Sequence, residues 1–126
     1  MTFLCFNASE CAYSFAKIAE EIDHAVTRMI FQSYGLEKYY EAHVESITYL
    51  LRVLKHKAPQ GTDPQLGFVA HTDKSFTTVL YQDHVNALEV ETKNGDWIKV
   101  ELSPSSFVVF AGDALMVGQS QLLFIS

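Results

Sequence analysis

Leu66-Gly67-Phe68-Val69-Ala70-His71-Thr72-Asp73-Lys74-Ser75-Phe76-Thr77-Thr78-Val79-Leu80-Tyr81 decides how the rest of this chain is read. Two short apolar runs, Gly67–His71 and Phe76–Tyr81, stand on either side of a polar centre, the pattern of paired strands. Downstream, Leu88–Glu91 and Trp97–Val100 flank Lys93-Asn94-Gly95-Asp96, and Asn-Gly between two alternating runs is the strongest short-range signal for a hairpin. Ser103–Ser106 reads as a turn containing Pro104, and Phe107–Phe110 as a buried strand. Gly112-Asp113 reads as a turn, with glycine supplying backbone freedom, into a last strand at Ala114–Val117. Upstream, Tyr49–Lys55 reads as the first strand, and Ala58–Pro64 as a loop carrying Pro59, Gly61 and Pro64. Strands this short and this regularly spaced predict a sandwich, a barrel or a jelly roll.

Before the strands the period changes. Phe15, Ile18, Ala19, Ile22, Val26, Met29 and Ile30 recur at three- and four-residue steps, which predicts one long helix over residues 9 to 33 with a single apolar face. Glu10, Lys17, Glu20, Glu21, Asp23 and Arg28 are assigned to its remaining surface. Ser9 is the expected N-cap and Gly35 the expected stop. A shorter helix is predicted over residues 36 to 46, and both helices are expected to pack on one face of the sheet. The 126 residues suffice for one core, and no internal repeat or linker divides them. The expected organisation is therefore one partial domain over residues 1–126, with helices in 9–46, strands in 47–117 and a divergent tail in 118–126.

Composition narrows the function classes. With 48% hydrophobic and 19% charged residues the chain is neither disordered nor of low complexity. A net charge of −6 with no basic run argues against nucleic acid or an anionic membrane as partner. Cys5 and Cys11 make no disulfide framework and are expected to be reduced thiols of a cytosolic protein. Met1–Phe6 is apolar but has no positive region before it, and no run reaches membrane-spanning length. A cytoplasmic location is the resulting expectation.

The chemistry centres on His71-Thr72-Asp73. On an extended segment residues i and i+2 point the same way, so His71 and Asp73 can converge on one ion. An imidazole and a carboxylate, completed by a second imidazole, form the facial triad of non-haem Fe(II) oxygenases, which leaves three positions open for a co-substrate and dioxygen. Three residues also match this pattern by chance, in which case His71 is a turn histidine and Asp73 caps the next segment. Thr72 faces the other side and is read as structural, and Phe76, Phe107 and Phe110 as core. Of the other histidines, His84 lies in the Tyr81–Asn86 turn, His56 precedes Ala58-Pro59, and His24 and His43 are surface or packing residues.

Beyond the pair, ordered motifs at matching spacings resemble the plant iron(II)/2-oxoglutarate-dependent dioxygenases. Leu66-Gly67 followed by His71-Thr72-Asp73 is similar to the family's LG…HTD segment, and Phe76–Tyr81 to the strand after it. Val85-Asn86-Ala87-Leu88-Glu89-Val90 resembles V-x-G-L-x-V, and Gly95-Asp96-Trp97-Ile98-Lys99-Val100 resembles G-x-W-x-x-V. Pro104-Ser105-Ser106-Phe107-Val108-Val109 with Gly112-Asp113-Ala114-Leu115 resembles P-x-x-F-V-V…GD-x-L. Gly35-Leu36-Glu37-Lys38-Tyr39 and Lys55-His56-Lys57-Ala58-Pro59 are most similar to the branch of glucosinolate side-chain and auxin-oxidising dioxygenases. The resemblance runs from about residue 13 to 117. It implies a double-stranded β-helix (jelly roll), Fe(II) held by His71 and Asp73, 2-oxoglutarate as co-substrate, ascorbate as reductant and oxidation of a small organic metabolite.

The same resemblance marks where the pattern departs. The family continues from GD-x-L to an H-R-V segment with the third iron ligand, then to an R-x-S motif whose Arg grips the far carboxylate of 2-oxoglutarate. Here Leu115 is followed by residues 116–126 without either motif; no His lies beyond His84 and no Arg beyond Arg52. Met1 also matches a point well inside the family. Losing a charge-assisted bidentate contact costs about 1.5–3 kcal/mol of co-substrate binding. A jelly roll has eight strands and this pattern supplies about six, so an incomplete roll with open edges is expected. Two readings follow: a dioxygenase fragment inactive by itself, or a non-catalytic isoform whose open edges pair with a full-length relative. A cupin-like module of other function is a third, against which stands the absence of a histidine partner for His71.

Overall fold

In the computed structural model, residues 8–55, 69–82, 87–116 and 124–125 are described, the last two by their backbone. The element order is α1 (Ala8–Ser33), a turn of 3-10 helix (Glu37–Tyr39), α2 (Tyr40–Ser46), β1 (Thr77–Leu80), β2 (Glu89–Glu91), β3 (Trp97–Lys99), β4 (Val108–Ala111), α3 (Asp113–Met116) and β5 (Phe124–Ile125). Two compact units divide the chain, Met1–Arg52 and Val53–Ser126. No described helix is long and apolar enough to cross a membrane.

In the first unit the long helix forms as its periodicity predicts, and Gly35 ends it at φ 67°. Gly35 N–H donates to the Gln32 carbonyl (3.0 Å) and Leu36 N–H to that of Phe31 (2.8 Å), which satisfies the last carbonyls in a Schellman arrangement. Ser9 lies inside the first turn, not before it, because the helix already includes Ala8. The buried face differs from the expected stripe. Asp23 (3% exposed) and Thr27 (0%) are the buried positions of α1, whereas Met29 is exposed. Asp23 tolerates burial because Tyr49, 26 residues along the chain, donates its hydroxyl to Oδ2 at 2.7 Å. Tyr40 is buried beside them; it donates to the His24 carbonyl (3.3 Å), packs edge-on against Phe31 and lies under the Arg28 guanidinium at 4.1 Å. His24 and His43 are packing residues, against Tyr49 and Phe31.

In the second unit, β1 and β4 form an antiparallel ribbon with Thr77 opposite Ala111 and Leu80 opposite Val108. A separate antiparallel sheet has the order β3-β2-β5. The Asn-Gly signal is borne out: β2 and β3 pair, with Gly95 at φ 85° in the turn and Thr92 bonded to Asp96 across it. Pro104-Ser105 also turns, with Ser105 at φ 69° and Ser106 N–H donating to the Ser103 carbonyl. Leu88 and Phe110 are the buried core, with Leu80, Val90, Val100 and Val108 packed on them.

Several expectations are corrected. Tyr49–Lys55 is not a strand; Leu50 and Val53 are 75% and 85% exposed, since apolar alternation makes a strand only where a partner supplies the ladder. Ala114–Met116, the described part of the expected Ala114–Val117 strand, is not a strand either: Asp113–Met116 is a single helical turn, with Leu115 and Met116 N–H both donating to the Gly112 carbonyl, and Ala, Leu and Met are strong helix formers. Within residues 118–126, β5 pairs along β2, so that edge of β2 is covered by the chain itself. Neither sheet is closed among the described residues; the fold is helices plus short antiparallel strands, compatible with part of a 2-oxoglutarate oxygenase fold, and a jelly roll is not established. Cys11 is in a disulfide, which corrects the expected reduced thiol: a residue count does not say whether sulfurs meet within bonding reach. The Ala58–Pro64 loop, Gly67 and Phe68, Cys5, His56 and His84 lie outside the described residues; of the expected Gly67–His71 strand, the described Val69–His71 form only an isolated bridge at His71.

Candidate metal centre

His71 and Asp73 meet as the i, i+2 reading predicts. His71 Nε2 stands 3.6 Å from Asp73 Oδ1, both side chains partly exposed. On its other side, His71 Nδ1 lies 2.9 Å from the Val69 carbonyl oxygen. A carbonyl only accepts, so Nδ1 carries the hydrogen and donates; in the neutral ring Nε2 then holds the bare lone pair, facing Asp73. Metal-bound histidines are oriented in this way by their second nitrogen. Ligand bonds of about 2.0–2.2 Å place two donor atoms no more than about 4.4 Å apart, so the pair can serve one ion without moving its backbone.

Asp73 is held from the opposite end. Its Oδ2 accepts from Thr78 Oγ1 at 2.6 Å, and Ser75 Oγ lies 3.0 Å from that hydroxyl. Because the single Thr78 proton goes to the carboxylate, the Ser75 hydroxyl donates to Thr78. Thr78 is on β1, so the ribbon itself fixes the carboxylate rotamer. The main chain of residues 73–76 is pinned by the turn after β4. Gly112 N–H donates to the Phe76 carbonyl (2.9 Å), Asp113 N–H to that of Asp73 (2.7 Å) and Ala114 N–H to that of Ser75 (3.2 Å).

Gly112 is here for space, not for backbone freedom: its φ is not positive, and a Cβ would stand 2.0 Å from the Ser75 carbonyl oxygen. Asp113 is more than a turn residue. Its Oδ2 accepts from Thr72 Oγ1 at 3.1 Å and from Lys74 Nζ. The Lys74 ammonium, and after it the Thr72 hydroxyl, hold the Asp113 carboxyl below the ordinary range against a smaller opposing effect of burial. Among the described residues no group of three or more His, Cys, Asp or Glu side chains stands together as a metal site.

Residues 28–122 match the model of the 2OG-Fe(II) oxygenase superfamily. The chain belongs to that superfamily. Within it, the chain is 42% identical over 113 residues to "Probable 2-oxoglutarate-dependent dioxygenase AOP1" of Arabidopsis thaliana, covering 86% of this chain and 38% of the relative. It is 41% identical over 114 residues to "Probable 2-oxoglutarate-dependent dioxygenase AOP1.2" of the same plant, 86% of this chain and 36% of that one. Over 53 residues it is 51% identical to "2-oxoglutarate-dependent dioxygenase AOP3", also of Arabidopsis thaliana, 42% of this chain and 13% of the relative. The chain thus spans little more than a third of the length of the first two.

The oxygenase match contains His71, Asp73 and Asp113. Sequence reading found the first two through the i, i+2 rule. Asp113, expected to be a turn residue, and Thr72, expected to be structural, are joined across 41 residues, and nothing in their spacing signals the contact. Lys74 had no sequence signal at all.

Proposed function

We propose that this superfamily member uses His71 Nε2 and Asp73 Oδ1 as two of the three protein ligands to Fe(II), in 2-oxoglutarate-dependent oxidation of a small organic metabolite. The observation that carries the reading is the 3.6 Å approach of those two atoms, with the far nitrogen of His71 tied to a carbonyl. An imidazole and a carboxylate fit Fe(II) by donor type. Iron with 2-oxoglutarate supplies the activation of dioxygen; the residues of this chain supply position. Val69 fixes the histidine tautomer, Thr78 fixes the carboxylate, and the partly open face between them leaves room for small ligands.

The 126 residues have no His beyond His84 and no Arg beyond Arg52, so this stretch by itself offers neither the family's third ligand nor its 2-oxoglutarate anchor. We assign it no turnover of its own. Among the described residues of the second unit, Val53 and Leu54 are exposed, which favours a second reading in which the chain associates with a longer relative. Co-purification of the two would support that reading, and a monomer in its presence would remove it.

Two titrations test the first reading. In the absence of oxygen, Mn(II) followed by electron paramagnetic resonance should bind one ion weakly, and His71→Ala and Asp73→Asn should each lose it. Fe(II) with 2-oxoglutarate should give no visible charge-transfer band. A wild-type chain that binds no Mn(II) removes the metal reading. A band that His71→Ala abolishes removes the claim that the site is incomplete.

A further inference from the structure

We propose that Asp113 is a positioning residue for the His71–Asp73 pair: one carboxylate oxygen gathers Thr72 and Lys74 on one side of the segment and thereby presents His71 and Asp73 together on the other. The inference rests on the metal reading above. Its substance is the alternation of four consecutive side chains. Thr72 Oγ1 and Lys74 Nζ both reach Asp113 Oδ2, while His71 Nε2 and Asp73 Oδ1 face one another at 3.6 Å. Twisting the segment by one residue would break both contacts to Asp113 at once, so two bonds resist the rotation that would separate the ligands. The main chain adds to this, since Asp113 N–H holds the Asp73 carbonyl at 2.7 Å.

Charge gives a second reason. Lys74 follows Asp73 directly in the sequence. The ion pair it forms is with Asp113. Asp73 Oδ1 is thereby left facing His71, and a metal need not displace an ammonium to reach it. Asp113 also neutralises a cation that would otherwise repel a divalent ion at close range. Gly112 makes the arrangement possible, because any Cβ there would drive the Asp113 turn off the Ser75 carbonyl.

The test uses the full chain with Mn(II) alone for affinity, Co(II) alone for the visible ligand-field spectrum, and circular dichroism for folding. Thr72→Val removes the hydroxyl but keeps the shape, Thr72→Ser restores the hydroxyl, Asp113→Asn removes the charge, and His71→Ala reports on the pair itself. We expect Thr72→Val and Asp113→Asn to weaken Mn(II) about three- to tenfold, the worth of one hydrogen bond, and to shift the Co(II) bands. Thr72→Ser should match wild type in both. A role confined to stability would lower the melting temperature and leave the Co(II) spectrum of the folded protein unchanged. If His71→Ala loses the metal while Thr72→Val and Asp113→Asn keep wild-type affinity and spectrum, the positioning role is overturned and the pair stands. If His71→Ala binds like wild type, the pair itself fails and the inference with it. Should Asp113→Asn not fold, Thr72→Val against Thr72→Ser decides, and equal affinities overturn the proposal.

Discussion

Asp23 and Asp73 are carboxylates in the two different units, and each accepts a hydroxyl at nearly the same distance, 2.7 Å from Tyr49 and 2.6 Å from Thr78. Their surroundings make them different groups. Asp23 is 3% exposed on a helix face, with a tyrosine as its partner. The Asp73 side chain is 28% exposed, and its second oxygen faces an imidazole whose other nitrogen is tied to the main chain. A carboxylate closed in by its own unit serves the fold; one held by a single oxygen, with the other facing an imidazole nitrogen, is the one the proposal above assigns to a metal.

Four changes break or sharpen that contrast. The largest effect is expected from Gly112→Ala, whose Cβ would meet the Ser75 carbonyl oxygen at 2.0 Å. Overpacking against backbone should cost about 3 kcal/mol or more of the strand unit's stability, read as a fall in the urea midpoint of near-ultraviolet dichroism, and metal affinity should fall with it. Next, Asp23→Ala leaves the Tyr49 hydroxyl without its carboxylate and should cost about 1–3 kcal/mol of helical stability at 222 nm. Mn(II) affinity should not change, and if it does, the separation of the two carboxylates into structural and ligand roles is wrong.

Asp73→Asn should behave in reverse. Affinity for Mn(II) should drop at least about tenfold, since a ligand matters no less than the groups that orient it, while the melting temperature moves little. The smallest effect concerns Tyr49. Burial of its hydroxyl, then its bond to Asp23, raise its pKa above the ordinary 10.0. The folded chain therefore holds this proton more tightly than the unfolded one, and the stability involved is whole below pH 10.0 and lost as pH rises toward the folded value. Comparing urea midpoints at about pH 8 and about pH 11, wild type should lose slightly more than Tyr49→Phe.

Legibility varied by element in a physically consistent way. The long helix, its stop at Gly35, the Asn-Gly hairpin and the strands around Thr77–Leu80 and Val108–Ala111 were readable because period and turn residues act over a few positions. Tyr49–Lys55 was misread because its composition suits a strand but nothing in the described residues pairs with it. Asp113–Met116 was misread because three helix formers after a glycine close one helical turn, where the sequence suggested another strand. The pair His71 and Asp73 was readable from spacing; the groups that hold it were not, since Thr78, Gly112 and Asp113 come to it from other elements.

What the sequence determined by itself was local: which stretches coil, where a chain can reverse, and that an imidazole and a carboxylate two residues apart can face the same way. It also carried enough ordered motifs to place the chain in its superfamily. Tertiary structure alone decided that Asp23 is buried on Tyr49, that Gly112 is required for close approach to Ser75, and that Asp113 receives both neighbours of Asp73. Those contacts join residues 26 to 41 positions apart, or a backbone to a backbone, and no periodicity in the chain encodes a meeting at that separation.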